Sequence, residues 1–182
     1  MTGSRATSST AVLSGPTKPR LGMAGTVDLG FDPSATTVAS GDTVTVDVML
    51  YTGTQEVDTV DLAIHYPTAN LAAVDAAGDP ATDSELAAAF DQELANSLDA
   101  ENGIIRLAAA VVGDSVSGDV RVATLRFKAL VPSSAGAHLY YSMWDPGSDV
   151  LHHGESVFGD WTSCVVTITG GYDLYLPLSL KS

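Results

Sequence analysis

Apolar and polar residues alternate with a period of two along much of the chain. In Thr43 to Tyr51, Val44, Val46, Val48 and Leu50 alternate with Thr43, Thr45, Asp47 and Met49. In Thr59 to Tyr66, Val60, Leu62, Ile64 and Tyr66 alternate with Thr59, Asp61, Ala63 and His65. Such a period predicts strands with one core side and one wet or ligand-facing side. Tyr66-Pro67 ends the second run, because proline cannot donate to a ladder. The pair reads as two strands joined by a turn, a hairpin around which the rest is arranged.

Further strands are predicted at Val27 to Phe31, Leu71 to Val74, Ile104 to Val112, Val120 to Val131, His138 to Trp144 and Trp161 to Thr169, with Val150 to Phe158 as a hairpin arm. Pro33 to Ser40, Gly78-Asp79-Pro80, Asn102-Gly103, Gly113 to Gly118 and Asp145-Pro146-Gly147-Ser148 read as turns or loops. In Val120 to Val131, Ala123, Leu125 and Phe127 are expected inward and Arg121, Arg126 and Lys128 outward. Residues 82 to 98 fit two patterns. Thr82 and Glu85 have capping-box spacing with Leu86, Phe90, Leu94 and Leu98 on one helical face, yet Phe90, Gln92, Leu94, Asn96 and Leu98 also alternate. About nine short strands predict an all-β, antiparallel sandwich. Residues 1 to 24, rich in Ser, Thr, Gly and Pro, read as a disordered leader or linker, and 170 to 182 as a C-terminal tail.

Composition narrows the function classes. At 182 residues the chain fits one domain plus tails. Hydrophobic residues at 45% exclude overall disorder. The 22 acidic against 8 basic residues give a formal charge of −14, which argues against nucleic acid and against anionic lipid. No apolar run approaches the roughly 20 residues of a membrane helix, so membrane insertion is not expected. The acidity fits an extracellular or cell-surface setting, although no intact signal peptide is visible. Cys164 stands alone, so no internal disulfide can form, and its strand context predicts a buried thiol.

A family resemblance rests on several motifs in order. Gly41-Asp42 opens the Val-alternating strand, and the next strand closes on Tyr66-Pro67 with Leu71 shortly after. Asn102-Gly103-Ile104-Ile105 then enters a central strand, and Ala123-Thr124-Leu125-Arg126-Phe127 supplies an Ala-Thr-Leu-x-Phe strand. Together these resemble the cohesin domain over roughly residues 25 to 169, which implies that the sandwich is a jelly roll. The chain departs from the family's Tyr-Asp-Pro by lacking the Asp. The resemblance favours a strand before Asn102, so a short helix at 83 to 89 followed by a strand at 91 to 98 is expected.

The resemblance implies a non-catalytic adhesion role, the binding of a dockerin module on one sheet face. The positions matching the family's polar contacts are Thr59 and Asp61, alternation adds Ala63 and His65 to the same face, and Arg106, Ala108 and Ala110 match outward positions on the neighbouring strand. No cofactor is implied in this chain; calcium is expected on the dockerin partner. The alanines depart from the family, where larger apolar contacts are common. A carbohydrate-binding module, taking polysaccharide, and a structural spacer remain alternatives. The ending Tyr-Leu-Pro-Leu-Ser-Leu-Lys resembles short tails of some secreted bacterial proteins and is open to a sorting role or to a last strand-like segment.

Candidate chemistry is sparse. Ser115 and Ser117 lie between glycines, but a further strand follows where a nucleophile elbow needs a helix. His152-His153 with Asp149 and Glu155 is the best metal-like cluster, yet adjacent strand residues point to opposite faces, so a solvated arm is expected. Asp75, Asp79, Asp83 and Glu85 could offer oxygen ligands to calcium but lack EF-hand spacing. Asp91, Glu93, Asp99 and Glu101 lack a groove that would hold a glycosidase pair. Tyr140, Tyr141, Trp144 and Trp161 are candidates for a sugar-stacking platform, although Tyr140 and Tyr141 cannot share a face.

Overall fold

The computed structural model describes residues 25–144 and 147–170. The leader at 1 to 24 and the Tyr-Leu-Pro-Leu-Ser-Leu-Lys ending lie outside the described residues, as do Asp145 and Pro146. The strands are β1 (Val27–Asp32), β2 (Ala35–Ala39), β3 (Thr43–Tyr51), β4 (Thr59–His65), β5 (Leu71–Ala73), β6 (Glu85–Leu86), β7 (Gln92–Asp99), β8 (Ile104–Ala110), β9 (Asp119–Ala129), β10 (Ser133–Tyr141), β11 (Asp149–His152), β12 (Glu155–Ser156), β13 (Phe158–Trp161) and β14 (Cys164–Thr169).

They form two sheets. One runs β13-β1-β3-β9-β5, with β6 also on β9. The other runs β12-β11-β4-β10-β14-β2, with β8 on β4 and β7 on β8. Pairing is antiparallel except for β1 with β13 and β2 with β14. The all-β sandwich expected from the alternation is therefore present. It has more strands than the expected nine because short segments at 35–39, 85–86, 149–152, 155–156 and 158–161 also pair as strands of their own.

Three local expectations are corrected. First, β3 and β4 do not pair as a hairpin: β3 lies between β1 and β9, and β4 lies in the opposite sheet. Alternation says that each strand has a core side, not which sheet supplies it. The seven residues from Thr52 to Asp58 can span the ~10 Å between packed sheets, and Val57 bridges Val116 on the way.

Second, no helix forms at 83 to 89. Glu85 and Leu86 pair with Thr124 and Ala123. Ser84 donates its N–H and hydroxyl to Asn96 Oδ1 (2.9 Å each), while Asn96 Nδ2 donates to the Ser84 carbonyl (2.7 Å). Tertiary pairing overrides a weak local helix preference. Third, Pro33 to Ser40 is not only a turn, because Ala35–Ala39 forms a strand on β14.

The outward placement of both Arg121 and Arg126 has a physical cause. Val48 pairs with Ala123 and Met49 with Arg121, so Val122 is an extra, buried residue that resets the parity of β9. The inner faces interdigitate. Val46, Val48 and Leu50 from one sheet and Leu62, Ile64, Leu107 and Leu139 from the other are fully buried. Phe31 stacks on Tyr141 across the layer at 4.7 Å, and the Tyr141 hydroxyl donates to the Gly30 carbonyl (2.7 Å). Burial pushes that phenol's pKa well above its ordinary value. It also raises the buried Cys164 thiol to about 11, so the thiol stays protonated, as its strand context predicts.

β8 is fixed beside β4 partly by Gly103. Its N–H donates to Asp99 O (2.8 Å) and its carbonyl accepts from Tyr66 N (2.9 Å). Its φ of 66° is left-handed, and a Cβ there would meet the Tyr66 carbonyl.

Candidate functional site

β4 and β8 are the centre of an outward sheet face. Thr59 opposes Ala110, Asp61 opposes Ala108, Ala63 opposes Arg106 and His65 opposes Ile104. The seven expected positions thus lie on one face, which strand parity requires. Arg106 reaches diagonally to Asp61, Nη2 to Oδ1 at 3.3 Å, with side-chain exposures of 33% and 48%. Ala63 differs from its neighbours. It is fully buried, its N–H donates to Ser148 Oγ (3.0 Å), and its carbonyl accepts from Ser142 N (2.7 Å) and Ser148 Oγ (3.1 Å). A partner cannot reach its side chain, so it is removed from the contact set.

Sequence reasoning missed several members of the face. Ile104 continues the β8 row, and β7 adds Ala95 opposite Ala108 and Ser97 opposite Arg106. On the far side His65 is stacked on Tyr140 at 5.2 Å and 8°. Desolvation lowers the pKa of His65. The Phe90-to-Leu98 alternation held part of this signal. A shift in the β7 register between Glu93 and Ala95 hides which residues face out.

The other candidates disperse. Tyr141 faces the core and Trp161 packs edge-on to it at 6.5 Å, whereas Tyr140 and Trp144 are exposed, so the four aromatics form no common platform. Asp75 Oδ1 accepts the N–H groups of Ala77 and Asp79, which makes it a turn former. Asp75, Asp83 and Glu85 line a cleft of about 240 Å³ with Arg126, and Arg126 pairs with Glu85 at 2.7 Å. That volume lies below the range of small-molecule sites. Asp99 is held by the Asn102 side chain, by the Asn102 N–H and by the Glu101 N–H, which lower its pKa. Asp91 accepts from Val112 N, and Glu93 from Asn96. These carboxylates serve turns and local contacts. Val116, at the centre of the Gly113 to Gly118 loop, is taken up by its bridge to Val57.

Comparison with known proteins decides the family. The family model of the Cohesin domain matches residues 30–148. The chain belongs to the cohesin domain family. No curated protein matches it significantly. Solved cohesins match in fold. A complex of CaCohA2 with CaDoc0917 is 18% identical, covering 79% of this chain and 100% of that chain, with a TM-score of 0.63; CaCohA2 comes from Clostridium acetobutylicum. A type II cohesin from the cellulosome of Acetivibrio cellulolyticus is 17% identical over 79% of this chain and 95% of that chain, TM-score 0.62. A non-cellulosomal cohesin from Archaeoglobus fulgidus is 18% identical over 81% and 92%, TM-score 0.57.

One corner of this cohesin domain departs from its sequence reading. His152 and His153 do not point to opposite faces; their rings stack at 3.9 Å and 29°. The cause is the two-residue turn between β11 and β12. His153 and Gly154 have φ of 51° and 82°, so His153 has left the strand and strand parity no longer applies. Asp149 is not part of the cluster, since its carboxylate accepts from Ser156 Oγ and Val150 N. The carboxylates beside the pair are Asp58 and Glu56, about a hundred residues earlier in sequence. Asp58 Oδ2 accepts the His153 N–H (2.6 Å). Burial works against its charge, but the His153 N–H, the Thr59 hydroxyl and the two imidazoles outweigh it and hold its pKa below the ordinary value.

Proposed function

We propose that this domain is a non-catalytic adhesion module that takes a dockerin-type partner on the outward β4–β8 face, in an extracellular or cell-surface assembly. Membership of the cohesin family supports the reading, and a relative is described as a type II cohesin–X–dockerin complex from Acetivibrio cellulolyticus. The observation that carries it is the character of the face. Ala95, Ala108 and Ala110 make a low central strip with the half-exposed Asp61–Arg106 pair within it. Four strands at ~4.8 Å spacing are about 14 Å across, wide enough for one helix of ~10–12 Å diameter to lie along them. Small side chains let a helix backbone approach closely, and Asp61 and Arg106 can exchange part of their mutual pairing for polar groups of the partner. Tyr140 and Ile104, at one end, are the large anchors that such an interface needs. Calcium belongs on the partner in this reading.

Titration calorimetry of the full chain against calcium-loaded dockerin modules tests it. Saturable 1:1 binding that a chelator abolishes is expected, because calcium holds the partner's recognition helices in place. No heat across a broad dockerin panel overturns the partner. Binding to polysaccharide instead would point to Tyr140 and Trp144.

A further inference from the structure

We propose that Asp58, His152 and His153 form a zinc-class metal site at the root of the β11–β12 hairpin, beside the Thr59 end of the β4–β8 face. Each residue offers one ligand atom, and the three atoms lie within 4.8 Å of one another. His152 Nδ1 lies 3.5 Å from Asp58 Oδ2. It makes no hydrogen bond although the atom is buried. A buried ring nitrogen without a hydrogen bond is uncommon and calls for a ligand. The 3.5 Å separation matches the edge of a tetrahedral shell with bonds of about 2.0–2.2 Å.

The second nitrogen has a different neighbour. His152 Nε2 faces Glu56 Oε2 at 3.7 Å. A carboxylate behind a ligating histidine fixes the tautomer and turns the other nitrogen toward the metal. With the proton on Nε2, toward the Glu56 carboxylate, the Nδ1 lone pair is free beside Asp58. The left-handed backbone at His153 brings the second imidazole over the first on the solvent side. Three protein ligands with one open position is a common zinc arrangement. Two imidazoles and one carboxylate favour zinc, copper or nickel over calcium, which wants a shell of oxygens. The competing arrangement is His152 bridging Glu56 and Asp58 as a purely structural contact that takes no metal.

Calorimetry of the full 182-residue chain with zinc chloride, and separately with calcium chloride, distinguishes the two. The variants are His153→Asn, which tolerates the left-handed turn, and Asp58→Asn, which keeps the carboxylate's shape. One zinc per chain is expected, weakened at least about tenfold in each variant, with no response to calcium. Zinc should raise the melting temperature of the wild type and have little effect on either variant. No zinc binding up to about 1 mM, a very weak threshold, overturns the site. So does zinc binding that both folded variants retain in full.

Discussion

The two sides of β4 and β8 make a controlled comparison, because they share a backbone and differ only in which way each residue points. Inward, Val60, Leu62, Ile64, Ile105, Leu107 and Ala109 are almost completely buried. Outward, Thr59, Asp61, His65, Arg106, Ala108 and Ala110 keep part of their surface in solvent. Stability should therefore be carried by one set and recognition by the other. Leu62→Ala tests the first half and carries the largest expected effect. It removes a fully buried side chain between packed sheets and should cost about 3 kcal/mol. Urea unfolding should show a lower midpoint with an unchanged slope. A loss under about 1 kcal/mol would mean that the inner face is less tightly packed than its burial implies.

Ala63 is where the comparison is most exposed to failure. Parity puts it on the recognition side, yet its side chain is buried and its backbone is tied to Ser142 and Ser148. Ala63→Val should behave as overpacking and destabilise by about 1–2 kcal/mol. Any loss of partner affinity should then follow from unfolding, so binding by the folded fraction should match the wild type. Normal stability with weakened binding would return Ala63 to the contact surface.

Asp61→Ala is the opposite case. An ion pair this exposed contributes little to folding, so unfolding should shift by no more than about 0.5 kcal/mol. Dockerin affinity should fall about tenfold, or ~1.4 kcal/mol, because the partner loses an acceptor at the centre of the face. Unchanged affinity, or a collapsed melting transition, would break the division of labour between the two sides.

How much of this was legible in the sequence follows from the same geometry. Within a strand, period two fixes the face, so Val44 to Leu50 and the Thr59, Asp61, His65 row could be placed from residue types alone. Sheet membership was not legible for β3 and β4, because alternation is the same whether the next strand pairs beside the last or crosses the sandwich. Side-chain bracketing between Ser84 and Asn96 replaced a plausible helix, and no local pattern encodes a contact twelve residues away. The His152–His153 corner failed for the reason the face succeeded: a rule for strands was applied to a residue already in a turn. The Gly154 that follows was the available signal, since His-Gly between two short runs fits a tight hairpin. Asp58 and Glu56 carried none, being brought in from far along the chain.

The smallest expected effect concerns acidity and belongs to the outward face alone. Desolvation beside Tyr140 holds the pKa of His65 below its ordinary value near 6.5. Between those two values the unfolded chain takes up a proton that the folded chain refuses, so stability is complete above about pH 6.5 and declines as pH falls toward the folded value. Asp58 is shifted in the same direction from a much lower starting value and contributes only in stronger acid. Melting curves from pH 7.5 to 5 should therefore show a shallow decline that His65→Gln flattens. An equal decline in both proteins would remove His65 as its source. A decline that instead steepens in the variant would mean that the imidazole is stabilised as a cation on the folded face, the reverse of what its burial against Tyr140 requires.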